Sequence, residues 1–512
     1  MADDRSLLAT KSIEALVSEA GAEGDHALQR VLGPVRLIML GIGDIIGAGI
    51  FVLTGLAAAQ YGGPAIVLSF VLAAVACTFA GLCYSEFASM IPASGSAYTY
   101  AYATLGELVA FLIGCALTLE FALGPATVAV GWSGYVTSFL RDFGLAIPPE
   151  LLAPPGTVLV ETAAGRFEAL ANVAERLAAQ GIDPASLAHT TGLLNLPALL
   201  IVVAITAVVV LGIRESANAN AVMVVIKVAV VVLFVVAGIA YVRVENWQPF
   251  IPENTGEFGR YGFTGIVRGA AVVFFAYMGF DSVSTAAQEA RNPQRDLPIG
   301  ILGSLGVCAV LYILVASVLT GVVSYKELNV PDPFAVGVDA IGLPWLRPLV
   351  KLGAIAGLSS VILVGMLAQS RICFVMAKDG LLPSWMARLH PRFKTPHLTT
   401  LATGAFMAVA AAVTPIAQLG ELASMGTLFI FAVVCGGVVV LRRTRPELPR
   451  PFRAPLSPLV PTLGVLSCVY LMYGLPGQTW IRFGLWLALG TVVYFAYSRR
   501  HSAVQRALRA RS

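Results

Sequence analysis

The sequence predicts an all-α membrane protein with twelve transmembrane helices. Three observations lead to this fold class: an apolar composition, twelve apolar stretches long enough to cross a bilayer, and two such stretches interrupted at corresponding places. Hydrophobic residues make up 57% of the 512 residues and charged residues 12%, and the mean hydropathy is +0.82. Because soluble globular chains carry about 25% charged residues, this composition excludes a cytosolic enzyme, a disordered chain and a nucleic-acid-binding protein.

Each predicted span holds about 20 apolar residues, the length that crosses the hydrocarbon core as a helix. Numbered in chain order, the spans are 35–58, 64–90, 106–140, 195–213, 220–242, 263–285, 299–323, 346–376, 397–415, 418–441, 456–475 and 480–498. Spans 3 and 8 are longer than one bilayer requires, and tilt or extension into the cytoplasm would accommodate the excess. Residues 1–34 are polar and lack the pattern of a cleavable signal peptide.

The basic residues predict the orientation, since cytoplasmic loops carry an excess of Lys and Arg. With the N-terminus inside, the inside segments hold 21 of the 33 Lys and Arg, the outside segments hold 8, and the remaining 4 lie in spans or at their ends. We therefore expect a cell-membrane protein with the N-terminal segment 1–34 and the basic tail 499–512 in the cytoplasm. The tail is expected to meet anionic lipid head groups rather than nucleic acid.

The longest loop, 141–194, is predicted to lie outside. Its segment Gly165–Gln180 has the spacing of an amphipathic helix. The apolar face would consist of Phe167, Leu170, Val173, Ala174 and Leu177. A packed connector is the simplest interpretation, and a lid or docking surface is the alternative.

Span 1 contains four glycines within the nine residues 41–49. Each costs about 1 kcal/mol relative to Ala inside a helix, so an interrupted helix is predicted, although close helix packing would also use glycine. A nucleotide-binding glycine loop does not fit, because it would need a preceding strand and a following soluble helix. Span 6 is interrupted in the same way at Gly279 and Asp281.

Interrupted helices at corresponding places in two halves are typical of inverted-repeat transporters with a binding site near the midplane. Spans 1–5 (35–242) would form one repeat, spans 6–10 (263–441) the second, and spans 11–12 (456–498) an addition. Unwinding at Gly47–Gly49 would free N–H groups at a positive helix end. Unwinding at Ala276–Gly279 would free carbonyls for an ammonium group. Such a pocket suits a zwitterion, and therefore an amino acid.

Charged residues inside a membrane are costly and mark functional positions. Lys227 lies deep in span 5, where burial favours its neutral form. It could therefore bind and release protons, or it could be a static counter-ion. Glu120 in span 3 and Asp281 in span 6 could face the pocket, hold a cation or relay a proton, or could serve structural hydrogen bonds. Asp44 could cap a half-helix or pair with a cation.

The other polar groups have structural interpretations. Glu86, Arg268, Lys351 and Arg371 are expected to form structural pairs. Ser359 and Ser360 are expected to pack between helices, with a sodium site as the alternative. At the cytoplasmic end of span 6, a salt-bridged gate or a solvated loop would use Asp281, Glu289, Arg291, Arg295 and Asp296. The seven cysteines lie in apolar stretches and predict packing, not a disulfide framework or a zinc site.

Four motifs resemble the amino acid–polyamine–organocation superfamily, in its cationic amino acid transporter branch. They are Gly-Ile-Gly-Asp-Ile-Ile-Gly-Ala-Gly-Ile-Phe (41–51), Phe-Phe-Ala-Tyr-Met-Gly-Phe-Asp (274–281), the stretch 288–298 and Ala-Lys-Asp-Gly-Leu-Leu-Pro (377–383). The resemblance implies a five-plus-five inverted repeat that works by alternating access. Two features depart from the branch: twelve spans rather than the fourteen of animal members, and Asp44 where a small residue is usual.

The resemblance also implies roles for individual residues. The substrate carboxylate would bind the backbone of Gly47, Ala48 and Gly49, and its amine the carbonyls of Phe275, Ala276 and Met278, with Phe275 as an aromatic gate. The complete set of expected substrate-binding residues is Ile46, Gly47, Ala48, Gly49, Ile50, Phe275, Ala276, Tyr277 and Met278. Lys227 matches the lysine that replaces sodium in proton-coupled bacterial members, and Glu120 and Asp281 match carboxylates near the pocket.

We therefore predict a secondary transporter that imports an L-amino acid, with a proton as the coupling ion. A cationic amino acid or polyamine exchanger is the alternative within transport, and an amino acid sensor is the alternative outside it. An intramembrane enzyme is not supported, because none of the five histidines lies mid-span. No cofactor or metal is predicted. Gly365 and Met366 of span 8 could set side-chain preference, and the oligomeric state stays open.

Overall fold

A computed structural model describes residues 7, 9–13, 16, 32–93, 95–163, 166–179, 181–211, 216–330, 332–343, 345–393 and 395–509. Most of the predicted segment 1–34 and the last three residues of the predicted tail lie outside this set. The described part is largely helical.

The helices that organise the fold are α1 (Pro34–Ile45), α2 (Ile66–Met90), α3 (Ser96–Thr104), α4 (Glu107–Asp142), α5 (Leu170–Ala179), α6 (Leu196–Leu211), α7 (Ser216–Gly238), α8 (Gly262–Val273), α9 (Pro293–Val322), α10 (Pro333–Ile341), α11 (Leu346–Lys378), α12 (His397–Val413), α13 (Ile416–Thr444), α14 (Leu459–Tyr473), α15 (Gly477–Val493) and α16 (Ala503–Arg509). Eight helical stretches of the described residues are long and apolar enough to cross a membrane. Three shorter apolar helices, α6, α12 and α14, lie within predicted spans 4, 9 and 11. The chain is thus a multi-pass helical membrane protein.

The helix of span 1 stops in the middle of the span. Pro34 occupies the first turn of α1, where its missing N–H is not needed. Regular α-helix ends at Ile45, and Ile46 is extended, with φ −75° and ψ 94°. Helical geometry resumes with wider turns at Gly49–Leu53, followed by Thr54–Ala57 and Ala58–Gly62. Two half-helices therefore flank a non-helical junction at the glycine motif.

Span 6 is interrupted as well. The helix α8 ends at Val273 and tightens into a 3₁₀ turn over Phe274–Tyr277. Met278 is then extended, with φ −60° and ψ 144°. Gly279 has φ +110°, a conformation that residues with a Cβ rarely adopt. Only short turns follow, including Ser282–Thr285.

Helices pack through small residues, as expected where lipid provides no hydrophobic drive for helix association. The helix α4 packs against α11 and α13, and α9 packs against α2 and α1. A Cβ on Gly353 would lie 2.9 Å from Cβ of Val230, and a Cβ on Gly365 would lie 2.5 Å from Cγ of Pro125. By contrast, exposed apolar side chains form a lipid-facing stripe on α7 that includes Val225, Val232 and Val236.

The loop between α4 and α6 contains a small antiparallel sheet of β1 (Val158–Ala163), β2 (Arg166–Ala169) and β3 (His189–Thr191), in the order β2-β1-β3. The predicted helix Gly165–Gln180 is therefore wrong over its first turn, because Arg166–Ala169 pairs with β1 and Phe167 lies opposite Glu161. The remainder is helical as α5. Val173 and Leu177 pack with Val160 in a separate small core, so this apolar face is used for internal packing.

A cavity of about 1330 Å³ lies between this loop and the adjacent ends of spans 1 and 6 and the turn after α9. Arg268 of α8 lies at its edge, with its guanidinium 5.5 Å from the ring centre of Tyr61 and 4.0 Å from Glu421. Asn329 donates to the carbonyl of Asn172 at 2.8 Å, which ties the sheet-bearing loop to this face.

The charges predicted to be structural have ionic partners. Glu86 accepts hydrogen bonds from Arg442 and pairs with Arg450. Lys351 pairs with Asp142 at 2.6 Å, and Arg371 pairs with Glu289 at 3.2 Å. At the same end of span 6, Arg291 and Arg295 are exposed, and Asp296 accepts from the N–H of Asn292 at the start of α9. Among the described residues, this end of span 6 therefore combines the Arg371–Glu289 ion pair with exposed arginines.

Candidate substrate-binding site

The interruptions of spans 1 and 6 contact each other. A Cβ on Gly49 would overlap the main chain of Ala276, with Ala276 N at 2.8 Å. A Cβ on Gly279 would lie 3.0 Å from Cγ of Asp44. Both glycines are therefore required for the close approach of the two non-helical junctions.

The junction in span 1 presents unused backbone donors. Within the described residues, the N–H groups of Gly47, Ala48 and Gly49 donate to no backbone carbonyl. These groups lie at the N-terminal end of the half-helix that begins at Gly49, where the helix dipole is positive. Such an end can bind a carboxylate without a basic side chain.

The junction in span 6 presents unused backbone acceptors. The carbonyl of Phe275 accepts from the N–H of Met278 at 3.3 Å. In the described chain, the carbonyls of Ala276, Tyr277 and Met278 accept no backbone hydrogen bond. Carbonyl oxygens without helix partners can accept hydrogen bonds from an ammonium group.

A cavity of about 40 Å³ lies at this junction. Its walls come from span 1, α4, span 6 and α11. The lining residues are Asp44, Ile45, Gly47, Ala48, Gly49, Glu120, Phe121, Gly124, Pro125, Val128, Phe275, Met278, Gly279, Val361 and Gly365. The cavity combines backbone polar groups, carboxylates and an apolar wall.

Six residues predicted for the site line this cavity: Gly47, Ala48, Gly49, Glu120, Phe275 and Met278. Gly365, expected to form the wall from span 8, also lines it, whereas its neighbour Met366 is fully buried elsewhere. The other predicted residues are adjacent but do not form the lining: Ile46, Ile50, Ala276, Tyr277, Lys227 and Asp281. Tyr277 points away, because its hydroxyl donates to the carbonyl of Phe70 at 3.0 Å.

The apolar wall from α4 was not predicted. It consists of Phe121, Gly124, Pro125 and Val128, and Val361 of α11 completes it. In the sequence, the pair Gly124–Pro125 in the middle of a long apolar span could have indicated this wall. Pro125 has no N–H, so the carbonyl of Phe121 lacks its usual helical donor.

Lys227 binds the junction of span 1 from the side of α7. Its ammonium group donates to the carbonyl of Gly43, to the carbonyl of Ile46 at 3.0 Å and to Oγ of Ser360 at 3.1 Å. These three acceptors match the three donors of a protonated lysine. The side chain is fully buried. Lys227 therefore connects span 1 to α11 without contacting a carboxylate at ion-pair distance.

The two serines of span 8 have different partners. Ser360 accepts from Lys227 and donates to the carbonyl of Gly357 at 2.8 Å. Ser359 accepts from the indole of Trp132 at 2.9 Å. Ser360 thus contacts the lysine ammonium group, whereas Ser359 contacts Trp132. In the part of the chain that the structure describes, no cluster of three His, Cys, Asp or Glu side chains could hold a metal.

Three buried carboxylates lie close to the cavity. Asp44, Glu120 and Asp281 are 6%, 2% and 0% exposed. Oδ2 of Asp44 and both carboxylate oxygens of Glu120 and Asp281 have no hydrogen-bond partner among the described residues. Asp44 lies inside the last turn of α1, and the half-helix that begins at Gly49 has no side-chain cap. Asp44 therefore does not cap this half-helix.

The sequence profile of the family described as amino acid permease matches residues 32–496. The chain belongs to the amino acid permease family. The matched region contains both interrupted spans, the cavity between them and Lys227. The permease is accordingly an amino acid transporter rather than an enzyme.

Relatives of the permease have related transport functions. It is 43% identical over 501 residues to a methylthioribose transporter of Bacillus subtilis (strain 168), covering 98% of this chain and 100% of that protein. It is 42% identical over 502 residues to the branched-chain amino acid permease BcaP of the same organism, covering 98% and 99%. It is 36% identical over 429 residues to a vacuolar cationic amino acid transporter 4 of Arabidopsis thaliana, covering 83% and 65%.

Proposed function

We propose that the permease imports an L-amino acid together with a proton by alternating access. The observation that supports this is the pair of opposed junctions, with free N–H groups on one and free carbonyls on the other. The substrate carboxylate would bind the N–H groups of Gly47, Ala48 and Gly49. Its ammonium group would bind carbonyls at Phe275, Ala276 and Met278.

The substrate side chain would then face the apolar wall formed by α4 and α11. Pro125, Val128 and Val361 offer no polar side-chain atoms, and Gly124 and Gly365 leave space rather than contacts. This wall favours a small or branched apolar side chain. The 42% identity to a branched-chain amino acid permease supports the same class.

The proposed architecture is twelve spans, with spans 1–5 and 6–10 as inverted repeats and spans 11–12 added. Junctions in spans 1 and 6, the first helix of each repeat, support this arrangement. The excess of basic residues in the corresponding loops supports cytoplasmic termini and a location in the cell membrane. The large cavity beside the sheet-bearing loop would then be the outer vestibule.

The proton would act at Lys227. A protonated lysine has three donors and can hold Gly43, Ile46 and Ser360 at once, whereas a neutral amine has two donors and a lone pair. Loss of the proton would therefore release at least one contact between span 1 and α11. Coupling requires the two conformational states of the carrier to bind the proton with different affinities. The contact of Lys227 with span 1 and α11 differs between the protonated and the neutral lysine.

The test is uptake in proteoliposomes with a panel of labelled L-amino acids, with and without an inward pH gradient. We expect gradient-driven accumulation of at least one small apolar amino acid by the wild type. Lys227→Ala should lose accumulation but keep counterflow, which needs no net proton movement. Gradient-driven accumulation in Lys227→Ala at the wild-type level would refute the role of Lys227.

An exchanger of cationic amino acids is the second candidate. The buried carboxylates Asp44 and Glu120 at the cavity and the identity to plant cationic amino acid transporters favour it. Counterflow of lysine or arginine at a rate that does not depend on the pH gradient would identify this function. Ligand binding without uptake or counterflow would instead identify a sensor.

A further inference from the structure

The cavity contains a carboxylate that the proposed substrate contacts do not use. Asp44 lines the cavity and is 6% exposed. Its Oδ2 atom is buried and has no hydrogen-bond partner in the described chain. Burying a carboxylate is costly unless it is paired. A residue with this cost in a substrate cavity is expected to bind something there.

Lys227 neither donates a hydrogen bond to Asp44 nor forms an ion pair with it within 4 Å. The protons of its ammonium group point to two carbonyls and a hydroxyl, those of Gly43, Ile46 and Ser360. Among the described residues, no lysine or arginine lies within 4 Å of the Asp44 carboxylate. Asp44 thus retains its capacity to bind a cationic group from the cavity.

The position of Asp44 indicates which cationic group that would be. A Cβ on Gly279 would lie 3.0 Å from Cγ of Asp44. Gly279 directly follows the residues whose carbonyls are free, Ala276 to Met278. Asp44, Met278 and Gly279 therefore line the same small cavity as Gly47–Gly49.

We propose that Asp44 is a specificity-determining residue that pairs directly with the α-ammonium group of the substrate. The inference rests on the proposed function, because it adds a contact within the same site. The carbonyls supply hydrogen-bond acceptors, and Asp44 supplies the counter-charge. A substrate without an ammonium group would leave this carboxylate buried and unpaired.

The expected consequence is strong discrimination against 2-hydroxy acids. A 2-hydroxy acid keeps the carboxylate and the side chain of the amino acid but has one neutral donor in place of three charged ones. Sites with buried polar groups reject analogues that cannot pair with them. Hydrogen bonds that involve charged groups correspond to about 10-fold to 100-fold in affinity.

The test measures inhibition of proteoliposome uptake. The labelled substrate is the amino acid of the panel with the highest uptake, and the competitors are that amino acid unlabelled and the 2-hydroxy acid with the same side chain. Wild type should prefer the amino acid by about 10-fold to 100-fold or more. Asp44→Asn, which keeps the shape against Gly279, should lower this ratio by about 10-fold.

Two further variants keep the test decisive. If Asp44→Asn folds poorly, Asp44→Ala replaces it in the test. It also removes the carboxylate and should lower the ratio in the same way. Asp296→Asn alters a buried carboxylate at the start of α9 and should keep the wild-type ratio. An unchanged ratio in an active Asp44 variant, or equal inhibition of wild type by both competitors, would overturn the inference. Absence of uptake of every amino acid by wild type would instead overturn the proposed function.

Discussion

The ammonium group of Lys227 donates to the carbonyl of Ile46 at 3.0 Å, directly beside the N–H groups proposed to bind substrate. The two residues are 181 positions apart in the chain. The extended conformation of Ile46 turns its carbonyl out of the helical ladder and makes it available. A proton on Lys227 and a ligand on the span-1 junction would therefore act on the same few peptide groups.

Ser360→Ala should weaken this connection without removing the lysine. It deletes one of three acceptors, and a hydrogen bond to a charged group contributes about 1.5–3 kcal/mol. We expect lower gradient-driven accumulation with counterflow retained, measured in proteoliposomes at several pH gradients. Ser359→Ala is the matched control, because that hydroxyl contacts Trp132 instead. Equal effects of the two substitutions would contradict the assignment.

Gly49→Ala should abolish most uptake. The added Cβ would overlap the main chain of Ala276, which cannot move without displacing the span-6 junction. Overpacking of this kind costs about 1–3 kcal/mol. Gly306→Ala in α9 is the control, since a Cβ there meets nothing within 4 Å. Uptake is compared per molecule of folded protein, and wild-type uptake by Gly49→Ala would argue against contact of the junctions.

Gly365→Ala should shift side-chain selectivity. Its Cβ would lie 2.5 Å from Cγ of Pro125, so it would push against the proposed side-chain wall. Uptake of leucine should fall more than uptake of alanine, by about 10-fold in the ratio if the overlap costs about 1.4 kcal/mol. Gly484→Ala, where nothing lies within 4 Å, should leave the ratio unchanged. An equal loss of leucine and alanine uptake would show that Gly365 contributes to helix packing and not to side-chain selectivity.

Glu86→Gln should lower stability. The Glu86 carboxylate, 2% exposed, accepts from Arg442 Nε at 2.9 Å and from the N–H of Ala454 at 2.8 Å. Loss of its charge leaves the guanidinium groups of Arg442 and Arg450 underpaired, which costs about 1–3 kcal/mol. Thermal denaturation of the detergent-solubilised protein measures the change.

The control for Glu86 is Asp339→Asn. Asp339 pairs with Arg347 at 3.1 Å, but both side chains are more than 40% exposed. Exposed ion pairs contribute about 0–1 kcal/mol, so the melting temperature should change little. A larger decrease in melting temperature for Asp339→Asn than for Glu86→Gln would show that burial does not determine how much these ion pairs contribute to stability.

Local patterns predicted the interruptions well. Glycine density in 41–49 and the Gly279–Asp281 pair indicated where helices would stop, and regular helix ends at Ile45 and Val273. The positive φ of Gly279 explains one of these stops in backbone terms. The strand Arg166–Ala169 was mispredicted as helix because four residues are too few to distinguish the period of a helix from that of a strand. Pairing with β1 makes this segment a strand.

Hydropathy, glycine content and charge act locally along a helix. They were therefore sufficient to predict a helical membrane protein with two glycine-interrupted spans and a deeply placed lysine. Helix packing was needed to show that Lys227 binds the carbonyls of Gly43 and Ile46, that Pro125 and Val361 form the apolar wall, and that Asp44 faces Gly279. Each of these contacts joins residues from different spans. Their geometry depends on how those helices pack, and no local period in the chain encodes it.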